Sequence, residues 1–385
     1  MSEEAIRRLD GLAKATGGTG KTSIRPGNTR RKEGWPQGDR ASRAMMVIVL
    51  LVVALLATSL VALGHGAADA SMLAVIGDLA GWRTGNATLS PVDRTIILDI
   101  RLPRLALGIM VGASLAVSGA VMQGLFRNPL ADPGIVGVAA GAGLGAISLI
   151  VLGGGVLAPL VGLFGIYAVP LGAFAGGLVT TFLLYRVATR GGQTSVATML
   201  LAGIALGALS GAASGLLVYA ADDRQLRDLT FWGLGSLAGA TWLKLAAAGP
   251  IIALAFAGAP LLARGLNALA LGESAAWHLG VPVQRLKNTA IVIVAAATGA
   301  AVAVSGGIGF VGIVVPHLLR LGIGPDHRYL LPASALLGAI LLTGADVISR
   351  TVVAPAELPI GIVTAIFGAP VFLWILLRRR GIIDL

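Results

Sequence analysis

The sequence predicts an all-α, polytopic membrane protein of about ten transmembrane helices, one of them short and broken. Composition is the first ground. Of 385 residues, 56% are hydrophobic and 12% charged, about half the charge of a soluble domain at roughly 25%. Second, apolar runs of about 20 residues, the length that crosses a bilayer, recur along the chain. Third, glycine supplies 55 residues, about twice the usual ~7%. In lipid there is no hydrophobic drive between helices, and small residues let their backbones approach. The chain has no cysteine, which excludes disulfides and thiolate metal sites, and its four histidines are scattered without ligand spacing.

The net charge of +11 does not indicate a nucleic-acid protein, because ten of the 29 Lys and Arg fall in residues 1–43 and the rest lie between apolar runs. Basic flanks are expected where positive loops are retained in the cytosol. Residues 1–43 read as a basic, disordered cytoplasmic tail, and 44–380 as the transmembrane domain. Within the tail, ATGGTGKTS (15–23) approaches a phosphate-binding loop, but Ala15 stands where the first Gly belongs. No β-branched run precedes it and two prolines follow, so the strand and helix that would focus backbone N–H groups on phosphate are lacking.

The spans follow in order: 45–63, 103–124, 135–152, 159–185, 196–221, 243–263, 285–305, a short one at 310–322, 330–349 and 360–377. The first is longer than a signal-peptide core and follows an unusually long basic region. An even count puts both termini on one side, and the basic tail puts that side in the cytoplasm. Glycines at every fourth position mark packing faces: Gly137, Gly141 and Gly145 on the third span, Gly203, Gly207, Gly211 and Gly215 on the fifth. VGASLAVSGA (111–120) repeats as TGAAVAVSGG (298–307), and by the span count the two copies cross in opposite directions. Inverted repeats of this kind are a habit of transporters.

Few charges lie inside the spans. Asp346 stands four residues before Arg350, the spacing at which helical side chains pair, and reads as a structural pair. His317 reads as a packed or capping residue. With no chain of acids or histidines across the bilayer, proton coupling has little support. Asn267–Lys287 is too short and too polar to span. Two short helices broken at Gly272 and Gly280 would fit it, forming either an ordinary interfacial loop or a docking surface for a cytosolic partner. In RLPR (101–104), Pro103 suits a first helical turn. Its arginines either anchor the helix at the interface or receive carboxylates of a partner, for which the guanidinium fork is well shaped.

RLPR, SGAVMQGLFRNPLADPGIVGV (118–138), LGESAAWHLGV (271–281), SGGIGFVGIVVPHLLR (305–320), GPDHRYLLPASALLGA (324–339) and APAELPIGIVTAIFGAPVFLWIL (354–376) resemble the permease subunits of type II ABC importers for vitamin B12, ferric siderophores and haem. The resemblance runs from about Ile100 to Leu377. It implies a multi-pass protein of the bacterial inner membrane, paired with a second copy of itself and crossed by a path along the dimer axis. Two ATP-binding cassette subunits bind on the cytoplasmic side, and a periplasmic substrate-binding protein delivers cargo. ATP and Mg then belong to the partner ATPase, and the chain itself is neither an enzyme nor the holder of a cofactor, metal or nucleic acid.

Carried over residue by residue, the resemblance makes Ala270, Leu271, Gly272, Glu273, Ser274, Ala275, Trp277, His278, Leu279 and Gly280 part of the cytoplasmic coupling helices. Arg101, Arg104 and Arg350 match the arginines that dock the binding protein. Asn128 and Leu130 match one cytoplasmic gate and Thr194 and Ser195 a second, although Val196 and Ala197 replace more polar residues there. RDLTFWGLGSLAGATW (227–242) resembles the haem branch most, with siderophore and cobalamin as alternative cargoes. No haem-ligand set is legible; Tyr219 and His65 read as structural. A proton-driven secondary transporter and a membrane scaffold are the rivals from other classes. On this reading, Arg101→Glu with Arg104→Glu lowers transport and leaves the subunit folded.

Overall fold

A computed structural model of the chain describes residues 39–66, 91–191 and 193–378. The first 38 residues, with ATGGTGKTS, lie outside it. Helix dominates, as lipid demands when every backbone polar group must be satisfied within its own segment. In order, the helices are α1 (Asp39–Gly64), α2 (Pro91–Thr95), α3 (Leu102–Leu125), α4 (Val138–Leu152), α5 (Ala158–Phe164), α6 (Ala168–Ala188), α7 (Val196–Tyr219), α8 (Asp223–Leu234), α9 (Trp242–Leu269), α10 (Glu273–His278), α11 (Val283–Ser305), α12 (Val311–Ile323), α13 (His327–Thr351) and α14 (Ile360–Arg378). A two-residue hairpin, β1 (Thr189–Arg190) with β2 (Gln193–Thr194), joins α6 to α7. Among the described residues seven helical stretches are long and apolar enough to cross a membrane, and α4, α12 and α14 are shorter apolar helices. These ten coincide with the ten expected spans.

The departures have local causes. The second span does not start at Pro103: helix runs unbroken from Pro91 to Leu125. Between α2 and α3 the turn widens to π geometry over Ile96–Arg101, where the Leu102 N–H reaches back to the Ile97 carbonyl. That widened turn leaves room for the Pro103 ring and absorbs its missing donor. The fourth span divides at Gly165, whose φ of +53° suits glycine, before resuming as α6. α8 is a polar-faced helix started by a reciprocal capping box between Asp222 and Gln225.

α3 is the axis of the bundle, packed on α9, α11, α12 and α13. Within their most apolar windows α3 is 78% and α11 72% buried, against 6% for α1. Close approach depends on glycine. A Cβ on Gly112 would stand 2.3 Å from the Gly338 carbonyl oxygen, and one on Gly119 only 1.9 Å from that of Gly312. The stripe on α4 works as expected: Gly141 and Gly145 press against the Gly176 and Gly172 carbonyls of α6. On α7, Gly203 is buried, whereas Gly207, Gly211 and Gly215 meet nothing within 4 Å, so only the latter three of that stripe face out of the bundle.

The repeated segments lie on α3 and α11, which pack together and run in opposite directions. Near the start of α3, Gly108 faces Leu237, next to Ser236, which binds Ser305 at the end of α11. Beyond the end of α3, Arg127 lies over Gly272, next to Glu273, which pairs with Lys287 near the start of α11.

Candidate functional site

The expected site residues gather at two opposite ends of α3, a helix of 24 residues and hence about 36 Å long. One end is built around α10. α9 stops at Leu269, and the chain turns at Gly272 (φ +111°) and again at Gly280 (φ +79°), conformations that glycine adopts freely. Only six residues between them are helical, so one short helix forms where two were expected; the chain from Leu279 to Pro282 is a turn into α11. Ala276 faces the bundle, whereas Leu271 (71%), Trp277 (67%) and Leu279 (64%) stand exposed. Ala270, Glu273, Ser274, His278 and Gly280 are also exposed, and Gly272 and Ala275 half-buried. The Trp277 and His278 rings meet edge to face at 5.1 Å. Three large apolar side chains thus stand exposed together on this short helix and its flanks.

Beside α10 lies the base of the hairpin, where Thr194 pairs with Thr189. Thr194 is buried, and each of its polar groups is bonded. Its N–H donates to Gln284 Oε1 (2.8 Å), its hydroxyl meets Thr189 Oγ1 (2.8 Å) and Gln284 Nε2, and its carbonyl accepts from Lys287 Nζ (2.9 Å). Ser195 caps α7, its Oγ accepting from the Thr198 N–H at 3.3 Å. A recess of about 1080 Å³ opens between the hairpin, α10 and the start of α11, with Thr194, Ser195, Glu273, Trp277 and Lys287 among its walls. Val196 and Ala197 line it too, so the departure from polar residues leaves part of the wall apolar.

Asn128 and Leu130 sit outside that recess, in the loop after α3. The Asn128 side chain accepts from the Leu130 N–H at 2.9 Å, fixing a tight turn. Their neighbour Arg127, left-handed at φ 50°, does line the recess. Further along the loop, burial pushes the Asp132 carboxyl above the usual carboxylate range, and the Gly134 N–H at 2.7 Å opposes that shift.

At the other end Arg101, Arg104 and Arg350 come together, all three buried. Arg104 forks onto Glu357 (2.7 and 3.0 Å) and donates from Nε to Asp346 (2.9 Å). Arg350 lies 3.5 Å from the other Asp346 oxygen. Asp346 and Arg350 thus form the expected structural pair, with Arg104 the nearer partner. Arg101 donates to the Leu63 carbonyl at 2.6 Å and Arg350 to that of Ala62, so two arginines cap the last turn of α1, where carbonyls lack helical partners. Glu357 was not singled out from the sequence, because 253 residues separate it from Arg104; only its place in APAELP hinted at a role. His317 is buried. Among the described residues no group of three or more His, Cys, Asp or Glu is arranged to hold a metal. Tyr219 is 90% exposed, and His65 is also exposed, with Nδ1 3.2 Å from the Val61 carbonyl.

Comparison with known proteins bears on the same features. Residues 50–378 match the FecCD transport family. The chain is 50% identical over 285 residues to the hemin transport system permease protein HmuU of Yersinia pestis, covering 74% of this chain and 84% of that one. It is 46% identical over 287 residues to the cobalamin import system permease protein BtuC of Halobacterium salinarum, covering 74% of each. To the vitamin B12 import system permease protein BtuC of Klebsiella pneumoniae it is 44% identical over 303 residues, 78% of this chain and 88% of the relative. A solved inward-facing conformation of a metal-chelate type ABC transporter superposes with a TM-score of 0.75 at 32% identity, covering 86% of this chain and 99% of the other.

Proposed function

The chain belongs to the FecCD transport family, a polytopic permease of ABC importers, and from that premise we propose that it carries haem across the inner membrane into the cytoplasm. The observation that carries the choice of cargo is the 50% identity to a hemin permease over 285 residues. The Arg227–Trp242 stretch supports it. Cobalamin is the second reading, favoured by 46% and 44% identity to B12 permeases, and a ferric siderophore the third.

The working unit on this reading is a pair of these chains with two ATP-binding cassette subunits and a periplasmic binding protein. The exposed Leu271, Trp277 and Leu279 of the α10 surface meet the ATPase, which holds ATP and Mg. The open glycine face of α7 meets the second copy. Asn128 with Leu130, and Thr194 with Ser195, close the path on the cytoplasmic side. α1 ends and α14 begins at the arginine end, which fits cytoplasmic termini. A binding protein docking at Arg101, Arg104 and Arg350 would compete with the internal partners that these side chains hold. ATP closes the partner dimer and favours one permease conformation through differential binding, as any ligand-driven shift must.

The test is uptake by liposomes holding this chain and its ATPase, with the binding protein empty, loaded with haem, or loaded with a ferric siderophore or cobalamin. ATP-dependent entry with haem alone is expected. Entry with another cargo replaces haem and keeps the mechanism. Uptake that ignores ATP and follows a proton gradient overturns the reading.

A further inference from the structure

One ammonium group ties the partner-facing helix to the hairpin. Lys287 lies in the second turn of α11 and is buried. Its Nζ donates to Glu273 Oε2 at 2.8 Å, on the first residue of α10, and to the Thr194 carbonyl at 2.9 Å, at the end of β2. A second side chain from the same face of α11, Gln284, holds the N–H and hydroxyl of Thr194 and steadies itself on Asn288 at 2.8 Å. The base of the hairpin, where Thr194 pairs with Thr189, is therefore fixed to α11 rather than only to its own strands. α10 is flanked by left-handed glycines at 272 and 280, so it can tilt as a unit while the ion pair pulls on α11. The other loop reaches α10 as well: Arg127 Nη1 lies 3.9 Å from where a Cβ on Gly272 would stand.

We propose that Lys287 is a positioning residue that transmits displacement of α10 to Thr194, through its paired bonds to the Glu273 carboxylate and the Thr194 carbonyl. This rests on the reading of α10 as the ATPase surface and of Thr194 as a gate. Both bonds are charge-assisted, the stronger class of hydrogen bond, and burial shields the ammonium from competing water. When α10 shifts, the carboxylate takes the ammonium with it and the hairpin carbonyl follows. Lys287→Met keeps the length of the stem and removes both bonds. Lys287→Arg keeps the charge and the donors. Exchanging the charges, Glu273→Lys with Lys287→Glu, rebuilds the ion pair but leaves the Thr194 carbonyl facing an acceptor.

The chain has no cysteine, so Gln193→Cys supplies a single labelling site on the exposed edge of the hairpin. Spin labels there report the separation of the two hairpins in the assembled transporter, with and without a non-hydrolysable ATP analogue, and uptake per ATP hydrolysed is measured beside it. In the parent protein the separation changes on adding the analogue. In Lys287→Met that change is lost, and cargo moved per ATP falls by at least about tenfold, the scale of one charge-assisted bond when two are removed. Lys287→Arg restores both readouts and the charge exchange restores neither. Glu273→Gln, at an exposed position, gives a smaller fall without threatening the fold. A nucleotide-dependent separation that survives Lys287→Met, with uptake per ATP unchanged, overturns the relay and leaves the gate reading standing. Full rescue by the charge exchange overturns the role of the Thr194 bond. If the parent hairpins do not move with nucleotide, the gate reading fails and the relay with it.

Discussion

Gly119→Ala adds one methyl group where α3 and α12 meet backbone to backbone. A Cβ there would lie 1.9 Å from the Gly312 carbonyl oxygen, 2.6 Å from its carbon and 2.7 Å from its Cα. Real Cβ contacts under 3.0 Å are essentially unknown, so α12 must retreat by about 1.1 Å, the difference between 3.0 and 1.9 Å. The obstacle is backbone, and no rotamer change relieves it. Retreat strains the bonds by which Gln123 Nε2 reaches the Gly312 (3.4 Å) and Ile313 (3.2 Å) carbonyls. A cavity of about 390 Å³, lined by Val311, Val314 and Leu318 on α12, gives it somewhere to go. Overpacking of this kind costs about 1–3 kcal/mol. The matched control is Gly207→Ala on α7, which meets nothing within 4 Å and gains about 0.5–1 kcal/mol of helix propensity. The two variants therefore separate by about 1.5–4 kcal/mol. Tryptophan fluorescence during unfolding in mixed detergent micelles measures the difference. A Gly119→Ala protein as stable as Gly207→Ala would refute the backbone contact between α3 and α12.

Other variants probe the two ends. Asp346→Asn removes the carboxylate charge that Arg104 and Arg350 share, and lowers stability by about 3–5 kcal/mol, as removal of one partner of a buried pair does; a neutral result in the same unfolding assay contradicts the cluster. By the same reasoning Arg104→Glu, with or without Arg101→Glu, compromises folding, because it sets a third carboxylate beside Asp346 and Glu357. A folded, monodisperse Arg104→Glu protein would restore the simpler docking expectation. Trp277→Ala, on a side chain 67% exposed, leaves the melting temperature unchanged and weakens ATPase binding by at least roughly 30-fold, the effect of a hot-spot tryptophan; equal affinity removes α10 as the contact. Gly211→Leu spares protomer stability but splits the dimer in light scattering, and an intact dimer moves the interface elsewhere.

Patterns that repeat within one helix were legible in the sequence. Spans, the Gly141–Gly145 face and the breaks at Gly272 and Gly280 are set by neighbours a few residues apart, and they stand where expected. The stripe on α7 was legible as a run of small residues, but sequence does not say that Gly203 is buried while Gly207, Gly211 and Gly215 stand open. Long-range pairing was not legible. Arg104 finds Asp346 across 242 residues and Thr194 finds Lys287 across 93; no local spacing announces either, whereas Asp346–Arg350 could be read because it is four residues apart. The burial of Arg101, Arg104 and Arg350 was not legible, because RLPR looks the same whether it faces water or α13. The π turn before Pro103 escaped notice because Ile96–Arg101 scans as ordinary helix.

The capping of α1 has a consequence for the order of assembly. α1 precedes the other described helices from the ribosome, is the most apolar of the long ones and buries little of its surface, with Ala44 its contact with the core near its start. Its last turn is fastened by Arg101, 38 residues after Leu63, and by Arg350, 288 residues after Ala62. One clasp can close as soon as α3 is inserted; the other waits until α13 has been made. During synthesis the last turn of α1 is thus clasped by Arg101 before Arg350 exists, and the second clasp closes only when Arg350 arrives. Chains that stall before α13 therefore carry an α1 whose last turn lacks one of its two arginine clasps.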